Sequence, residues 1–140
     1  MSFENIDPQA AHARLEEGWI YLDVRTEEEF EEGHAPGAYN VPVVFRGMMG
    51  MEPNPEFVSV CQRHFPADAK LVVACKAGGR SLMACELLSS EGFQVLANMD
   101  GGFHGRPDGM GGIAVQGWAA CGLPQAAKAE PGRTWDELSG

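Results

Sequence analysis

The stretch VVACKAGGRSLMACELL, residues 72–88, decides the fold. It opens with apolar residues typical of a buried strand, passes through a turn with two adjacent glycines, and continues in a pattern that predicts a helix. A strand, a tight turn and a helix in direct succession form the basic unit of an α/β fold. The stretch also raises a chemical question, because Cys75 stands at the mouth of the turn, near Lys76 and Arg80, in an acidic chain.

Strands and helices alternate along the rest of the chain. Capping residues, glycines and hydrophobic periodicity predict helices at residues 8–17, 27–32, 55–65 and 80–91. Apolar runs predict buried strands at residues 19–24, 70–75 and 93–99, with a short extended piece at 38–41. This alternation predicts one α/β domain with a central, mainly parallel sheet. On the last long helix, the spacing predicts that Leu82, Cys85 and Leu88 share the buried face.

Three segments depart from this alternation. Residues 46–54 are predicted to be a loop, and residues 101–117, with seven glycines, an elaborated loop with a short hairpin at 113–115. The polar tail, residues 126–140, is predicted to be loosely held, with Trp135 able to dock on the body. We therefore predict a single domain over residues 1–125, with a glycine-rich insertion at about 104–117, followed by this tail.

Composition and charge exclude several classes of function. The net charge of −10, with only ten lysines and arginines, argues against nucleic-acid binding. No apolar run approaches the roughly 20 residues that span a bilayer, and the N-terminus lacks the features of a secretory signal. We therefore expect a cytoplasmic protein with no membrane partner and with reduced cysteines. The four cysteines contain no C-x-x-C pair and the four histidines are scattered, so no metal site is predicted.

The turn after residue 74 has the features of a loop that activates a nucleophile. Ligands of open α/β sheets bind beyond the carboxyl ends of the strands, where Cys75 is predicted to lie. Gly78 and Gly79 allow the backbone to curl and to point several N–H groups inward, and the following helix adds its positive end. All these features stabilise a thiolate. Cys61 and Cys85, by contrast, are predicted to be core residues, and Cys121 lacks such a setting.

Two cysteine chemistries on anions fit such a loop. In one, a loop that runs from cysteine to arginine wraps a phosphate, as in cysteine phosphatases and arsenate reductases. In the other, the cysteine accepts a sulfane sulfur as a persulfide. Only four residues (Lys76, Ala77, Gly78 and Gly79) separate Cys75 from Arg80, fewer than in cysteine phosphatases, and this smaller cradle is better matched to a persulfide.

Three motifs in order resemble those of single-domain rhodaneses. YLDVRTEEEFEEGHAPGAYNVP (residues 21–42) is similar to the family's first signature, and CKAGGRS (75–81) to its active loop. MDGGF (99–103) with GWAACGLP (117–124) resembles the closing signature, so that the resemblance covers residues 4–125. It implies a rhodanese-like α/β fold, with a central, mainly parallel sheet flanked by helices on both faces. The chain departs from the pattern at Ala35, where isoleucine is usual, and in the fourteen residues between Phe103 and Trp118.

The resemblance implies a thiosulfate sulfurtransferase that works by a ping-pong route and needs no cofactor. By this resemblance, Cys75 attacks the outer sulfur of a small anionic donor, sulfite leaves, and the persulfide passes to cyanide or to a thiol of a small molecule or protein. The backbone N–H groups of the loop would hold the persulfide, and Lys76 or Arg80 would attract the donor's sulfonate. The residues of this expected substrate-binding loop are Lys76, Ala77, Gly78, Gly79, Arg80 and Ser81.

Other positions of the resemblance are interpreted as supporting or structural. Asp23 and Arg25 match the family's D-x-R motif, either as residues that shape the site or as a structural ion pair. His34 is interpreted as structural, since an ionised thiol needs no base. A non-enzymatic rhodanese-like module for binding or persulfide sensing is a further alternative, against which the retained Cys75 argues. Single-domain relatives occur as monomers and as homodimers, so the resemblance leaves the oligomeric state open.

Overall fold

The computed structural model describes residues 3–140 of the chain. Within these residues the chain forms helices and strands in the alternation typical of an α/β domain. The helices are α1 (Pro8–Glu16), α2 (Glu27–Glu32), α3 (Phe57–His64), α4 (Gly79–Ser90) and α5 (Trp135–Ser139). The strands are β1 (Glu4–Ile6), β2 (Ile20–Asp23), β3 (Tyr39–Asn40), β4 (Val44–Gly47), β5 (Gly50–Pro53), β6 (Lys70–Ala74), β7 (Val95–Met99), β8 (Arg106–Pro107) and β9 (Ile113–Val115).

The central sheet has five strands in the order β1-β7-β6-β2-β3, and all neighbours pair in parallel. This arrangement confirms the predicted parallel sheet. β6, the strand that ends at the cysteine loop, lies in the middle of it, with Val72 level with Tyr21 on one side and Ala97 on the other. The edge strand β1 was not predicted, because it has only three residues, of which two are exposed, and carries no apolar run.

Side chains of β6 alternate between two cores, one on each face of the sheet. Leu71 and Val73 face a core formed with α3, α4 and α5. Val72 and Ala74 face a second core, which α1 and α2 cover together with Trp118. A strand that is buried on both faces reads as a continuous apolar run, which is why β6 was recognisable in the sequence. Helices therefore flank the sheet on both faces, as predicted.

The helix starts agree with the capping signals in the sequence. The side chain of Asp7 accepts a hydrogen bond from the N–H of Ala10 (2.8 Å) at the start of α1. Thr26 and Glu29 form the predicted capping box at the start of α2. Such caps satisfy N–H groups that have no partner within the helix. On α3, Phe57, Val60 and Cys61 are buried, whereas His64 lies at its exposed end.

The predicted buried face of α4 is confirmed for Cys85 and Leu88 and was wrong for Leu82. Leu82 is 40% exposed, whereas Ser81, Ala84, Cys85 and Leu88 are buried. These four follow the i, i+3, i+4, i+7 spacing of a helix face, which the predicted set only approximates. The sequence obscured this face because its first member, Ser81, is polar.

Residues 46–54, predicted to be a loop, contribute to an antiparallel hairpin instead. β4 pairs with β5 in the register of Val44 with Pro53 and Gly47 with Gly50. β5 is exposed along its whole length, so no alternation of apolar residues marked it. In the glycine-rich insertion, β9 pairs with β8, which confirms the hairpin predicted at 113–115.

The tail is held more firmly than predicted. Trp135 and Leu138 of α5 belong to the core on the α3 and α4 side of the sheet. The backbone oxygen of Leu138 accepts a hydrogen bond from Arg63 Nη2 (2.7 Å) and lies 2.7 Å from His64 Nε2. Two apolar anchors on a helix of five residues are too few to produce a periodic signal, so the sequence suggested only that Trp135 could dock.

Candidate active site

The cysteine loop lies at the carboxyl end of the central strand. Cys75 directly follows β6 and is 1% exposed, and α4 begins four residues later at Gly79. The turn depends on Gly78, whose φ of +119° is in the left-handed region that side-chain-bearing residues rarely adopt. Gly78 also caps α4, so the loop directs the thiol towards the N-terminus of a twelve-residue helix.

Two groups of the loop contact the sulfur of Cys75. The N–H of Gly78 donates a hydrogen bond to Sγ at 3.0 Å, and Oγ of Ser81 lies 3.4 Å from Sγ. Ser81 is fully buried, and its Oγ is also 3.1 Å from the carbonyl oxygen of Gly78. A backbone donor and a hydroxyl can both stabilise negative charge on sulfur, in the thiolate or in a persulfide.

Arg80 is engaged in an ion pair that connects the loop to α2. Its Nη1 and Nη2 donate to the two carboxylate oxygens of Glu29 at 2.7 and 2.9 Å. Burial of Glu29 favours its neutral form, but hydrogen bonds from Arg80 and Thr26 outweigh this effect and lower the pKa of Glu29 to about 2. This geometry favours a role of Arg80 in bracing the loop over the expected attraction of the donor's sulfonate.

Lys76 lies at an open pocket beside the loop. Arg46 of β4 and His104 line the same pocket, together with residues that follow β2: Thr26, Glu28, Glu29 and Glu32. Partial burial, and then the charges of Arg25 and Lys76, lower the pKa of His104. The sequence did not single out Arg46, because it lies in the segment predicted to be a loop.

The GGF motif fastens the loop from the other side. The N–H of Phe103 donates to the carbonyl oxygen of Cys75 (2.8 Å), and that of His104 to the carbonyl oxygen of Lys76 (2.9 Å). Gly102 packs so closely that a Cβ built on it would lie 2.5 Å from the carbonyl oxygen of Cys75. This contact explains the glycine in the motif.

Asp23 and Arg25 form a buried ion pair beneath this motif. Arg25 Nη2 lies 2.8 Å from Asp23 Oδ2, both side chains are 1% exposed, and Nη2 also donates to the carbonyl oxygen of Gly33. The guanidinium packs over the ring of Phe103, 4.4 Å from its centroid. Of the two roles left open for the pair, the geometry favours a structural one. The pair supports the loop indirectly, because Arg25 packs on Phe103 and Phe103 holds the loop.

The remaining residues of interest lie in structural positions. His34 is buried, stacks on Phe30 at 3.8 Å, and its Nδ1 lies 2.8 Å from the carbonyl oxygen of Phe30, as its structural interpretation expects. Cys61 and Cys85 are core residues, as predicted. Burial raises the pKa of Cys61 to about 12, and burial together with the nearby Cys75 raises the pKa of Cys85 to about 12.

Two further features of residues 3–140 bear on function. In this range, no group of three or more histidine, cysteine or acidic side chains is arranged to hold a metal ion. None of the helices described combines the length and the apolar character needed to cross a bilayer.

Comparison with known proteins places the loop and the sheet in one family. The family described as Rhodanese-like domain matches residues 7–105, most of the chain. The chain belongs to the rhodanese-like family. The crystal structure of Rv0390 from M. tuberculosis superposes with a TM-score of 0.75 at 26% identity, and the match covers 91% of this chain and all of that one.

Two curated relatives connect the family to chemistry. The chain is 41% identical over 123 residues to thiosulfate sulfurtransferase 16, chloroplastic, of Arabidopsis thaliana, a match that covers 88% of this chain and 92% of that protein. It is also 43% identical over 100 residues to Protein HIGH ARSENIC CONTENT 1, mitochondrial, of the same plant. This match covers 71% of this chain and 59% of that protein. The family match and the first of these relatives support sulfurtransferase activity of the rhodanese type in general.

Proposed function

We propose that the protein is a thiosulfate-type sulfurtransferase that carries sulfur on Cys75. The thiolate of Cys75 attacks the outer sulfur of the donor, a new S–S bond forms, and the S–S bond of thiosulfate breaks, with the electron pair leaving on sulfite. Cyanide or a thiolate then attacks the outer sulfur of the persulfide and regenerates the Cys75 thiolate. The observation that supports this proposal is the N–H of Gly78, 3.0 Å from Sγ, at a sulfur that is otherwise enclosed.

The dimensions of the loop support a persulfide over a larger group. Four residues separate Cys75 from Arg80, and the guanidinium of Arg80 is paired with Glu29 rather than directed at the sulfur. A phosphate cradle of the cysteine type would require that arginine on the anion. The turn around Gly78 would instead supply N–H groups to an anionic sulfur.

The pocket beside the loop suits the anionic end of the donor. Lys76 and Arg46 would attract the sulfonate of thiosulfate, and the neutral ring of His104 could donate a hydrogen bond to it. Glu28 and Glu32 line the same pocket, whereas the charge of Glu29 is paired with that of Arg80. The acceptor in this proposal is a thiol of a small molecule or of a protein, or cyanide in the assay. The enzyme would need no cofactor for either half-reaction.

Thiocyanate formation from thiosulfate and cyanide tests the proposal. We expect parallel lines in double-reciprocal plots, as a ping-pong route requires, and loss of the activity in Cys75→Ser. Cys121→Ser is the matched control, since Cys121 is also a free thiol but lies outside the loop, and it should retain activity. Full thiocyanate production by Cys75→Ser would overturn the proposal.

A second candidate function is the reduction of arsenate. The observation that favours it is the relative whose name refers to high arsenic content, at 43% identity. In this route the Cys75 thiolate would displace hydroxide from arsenic, and a second thiol would attack the sulfur of Cys75, so that arsenic leaves as arsenite and a disulfide forms. Arsenite production from arsenate and an excess of a small thiol, absent in Cys75→Ser, would support it. Hydrolysis of an aryl phosphate, absent in Cys75→Ser, tests the phosphatase alternative.

A further inference from the structure

A chain of polar side chains connects the sulfur of Cys75 to the edge of the sheet. Oγ of Ser81, 3.4 Å from Sγ, lies 2.5 Å from Oδ1 of Asn98. Nδ2 of Asn98 in turn donates to Oδ1 of Asn5 at 2.9 Å. Asn5 and Asn98 are level with each other in the register of β1 and β7, so backbone pairing holds this last contact in place.

The hydroxyl of Ser81 has one hydrogen and three neighbours. Oδ1 of Asn98, the carbonyl oxygen of Gly78 and Sγ of Cys75 all lie within hydrogen-bonding distance of its Oγ. Because Asn98 directs its NH₂ group to Asn5, the side of its amide that faces Ser81 is the oxygen, which can only accept. Two neutral acceptors therefore compete with the sulfur for the same hydrogen.

This competition depends on the charge of the sulfur. A neutral thiol can donate its own hydrogen to Oγ of Ser81 and therefore does not need a hydrogen bond from the Ser81 hydroxyl. A thiolate or a persulfide anion can only accept, so it gains stability when the hydrogen of Ser81 turns towards it and away from Asn98. The orientation of the Asn98 amide would thus set how much stabilisation a thiolate of Cys75 receives.

We propose that Asn98 and Asn5 are positioning residues, which hold the hydrogen of Ser81 away from the resting sulfur of Cys75. Without Asn5, the Asn98 amide is free to rotate, and its NH₂ group can donate to Oγ of Ser81. The Ser81 hydrogen then has one competitor fewer and turns to the sulfur, so the thiolate is favoured. This inference deepens the proposed function, on which its catalytic meaning rests, but it concerns the ionisation of the thiol itself.

Other charges near the sulfur stay in place when Asn5 is replaced. The groups that interact electrostatically with Cys75 include Tyr21 of β2 and Arg80 and Cys85 of α4, and Lys76 is adjacent to it in the loop. None of them forms a hydrogen bond with Asn5 in the part of the chain that the structure describes. Asn5 itself is exposed on an edge strand, so its replacement leaves both cores intact.

The test is the rate of alkylation of Cys75 by iodoacetamide as a function of pH, followed by peptide mass mapping. In Asn5→Ala we expect the midpoint to move to lower pH, with about threefold to tenfold faster alkylation below the wild-type midpoint. Asn5→Asp keeps an acceptor for Nδ2 of Asn98 and should show a midpoint at or above that of the wild type. In the double variant Asn5→Ala/Ser81→Ala, measured against Ser81→Ala, the shift should vanish, because the hydroxyl is gone.

Two results would overturn the proposal: an Asn5→Ala midpoint equal to that of the wild type, or a shift that persists in the absence of the Ser81 hydroxyl. Thermal unfolding of each variant shows that the comparison is made on folded protein. Because alkylation needs no sulfur donor, a shifted profile without thiocyanate formation would contradict the proposed function alone. Thiocyanate formation with an unshifted profile would contradict this inference alone.

Discussion

Replacement of Glu29 by glutamine isolates the ion pair that braces the active loop. Glutamine keeps an oxygen that can accept from the N–H and hydroxyl of Thr26, so the capping box of α2 survives. What is lost is the negative charge opposite Arg80, whose guanidinium contacts both carboxylate oxygens of Glu29 at 2.7 and 2.9 Å, and one of these two acceptors, since an amide NH₂ group cannot accept. The change in stability of this variant therefore measures the ion pair as a whole.

The magnitude follows from the ionisation of Glu29. Its pKa falls from 4.5 to about 2 in the native state. Since one pKa unit equals about 1.4 kcal/mol, the native structure favours the ionised carboxylate by about 3 kcal/mol. The two side chains are 18% and 21% exposed, so solvent screens part of this energy, and we expect Glu29→Gln to lower the free energy of unfolding by about 1–2 kcal/mol.

Urea unfolding at several pH values is the assay. Because the pKa of Glu29 is lowered on folding, its contribution is fully present above 4.5 and is lost as the pH falls towards about 2. The difference between wild type and Glu29→Gln should thus be constant near neutral pH and decrease to about half or less by pH 3. Glu31→Gln, an exposed site on the same helix, is the control and should change stability by less than about 0.5 kcal/mol. Equal losses in the two variants would refute the reasoning.

Three further substitutions test other parts of the site. Asp23→Ala leaves the buried charge of Arg25 unpaired and should cost about 3–5 kcal/mol in urea unfolding. Gly102→Ala places a Cβ 2.5 Å from a carbonyl oxygen of the active loop at a φ of +55°, and should lower kcat/KM for thiosulfate by about tenfold or more in steady-state assays. Lys76→Ala should raise KM for thiosulfate several-fold with a smaller effect on kcat, as expected for a residue that attracts the donor.

Each of these variants has a matched control. Glu4→Ala removes an exposed ion pair and should cost less than about 1 kcal/mol; a similar loss in Asp23→Ala would contradict the importance of burial. Gly109→Ala is the control for Gly102→Ala, because Gly109 also has a positive φ but a Cβ built on it meets open space. Wild-type activity in Gly102→Ala would show that the close approach of Gly102 to the loop does not matter. Lys70→Ala removes an exposed lysine at the opposite end of β6. An equal rise in KM in Lys70→Ala would show that the effect of Lys76→Ala comes only from the change in net charge.

The parts of the fold that could be predicted are those with local signals. The apolar run of β6, buried on both faces, and the caps at Asp7 and Thr26 each lie within a few residues of the feature they specify. The same holds for the loop itself, where Cys75, the glycines and the start of α4 are consecutive. Local sequence therefore predicts where Cys75 lies and that a helix starts beside it, and of the expected N–H groups that of Gly78 contacts Sγ.

The parts that could not be predicted depend on contacts distant in sequence. Arg80 pairs with Glu29, 51 residues away, and α2 carries five acidic residues from which the sequence cannot select one. α5 is held by core contacts and by Arg63 of α3, which no pattern within the tail reveals. β1 and β5 are exposed strands, so they lack the hydrophobic alternation by which strands are recognised.

The intact mass of the reduced protein before and after treatment with thiosulfate tests the central claim most directly. We predict a gain of one sulfur atom on the wild-type chain and on Cys121→Ser, lost again on addition of cyanide, and no gain on Cys75→Ser. A gain that Cys75→Ser retains, or an unmodified wild-type chain that nevertheless forms thiocyanate, would contradict a persulfide carried on Cys75.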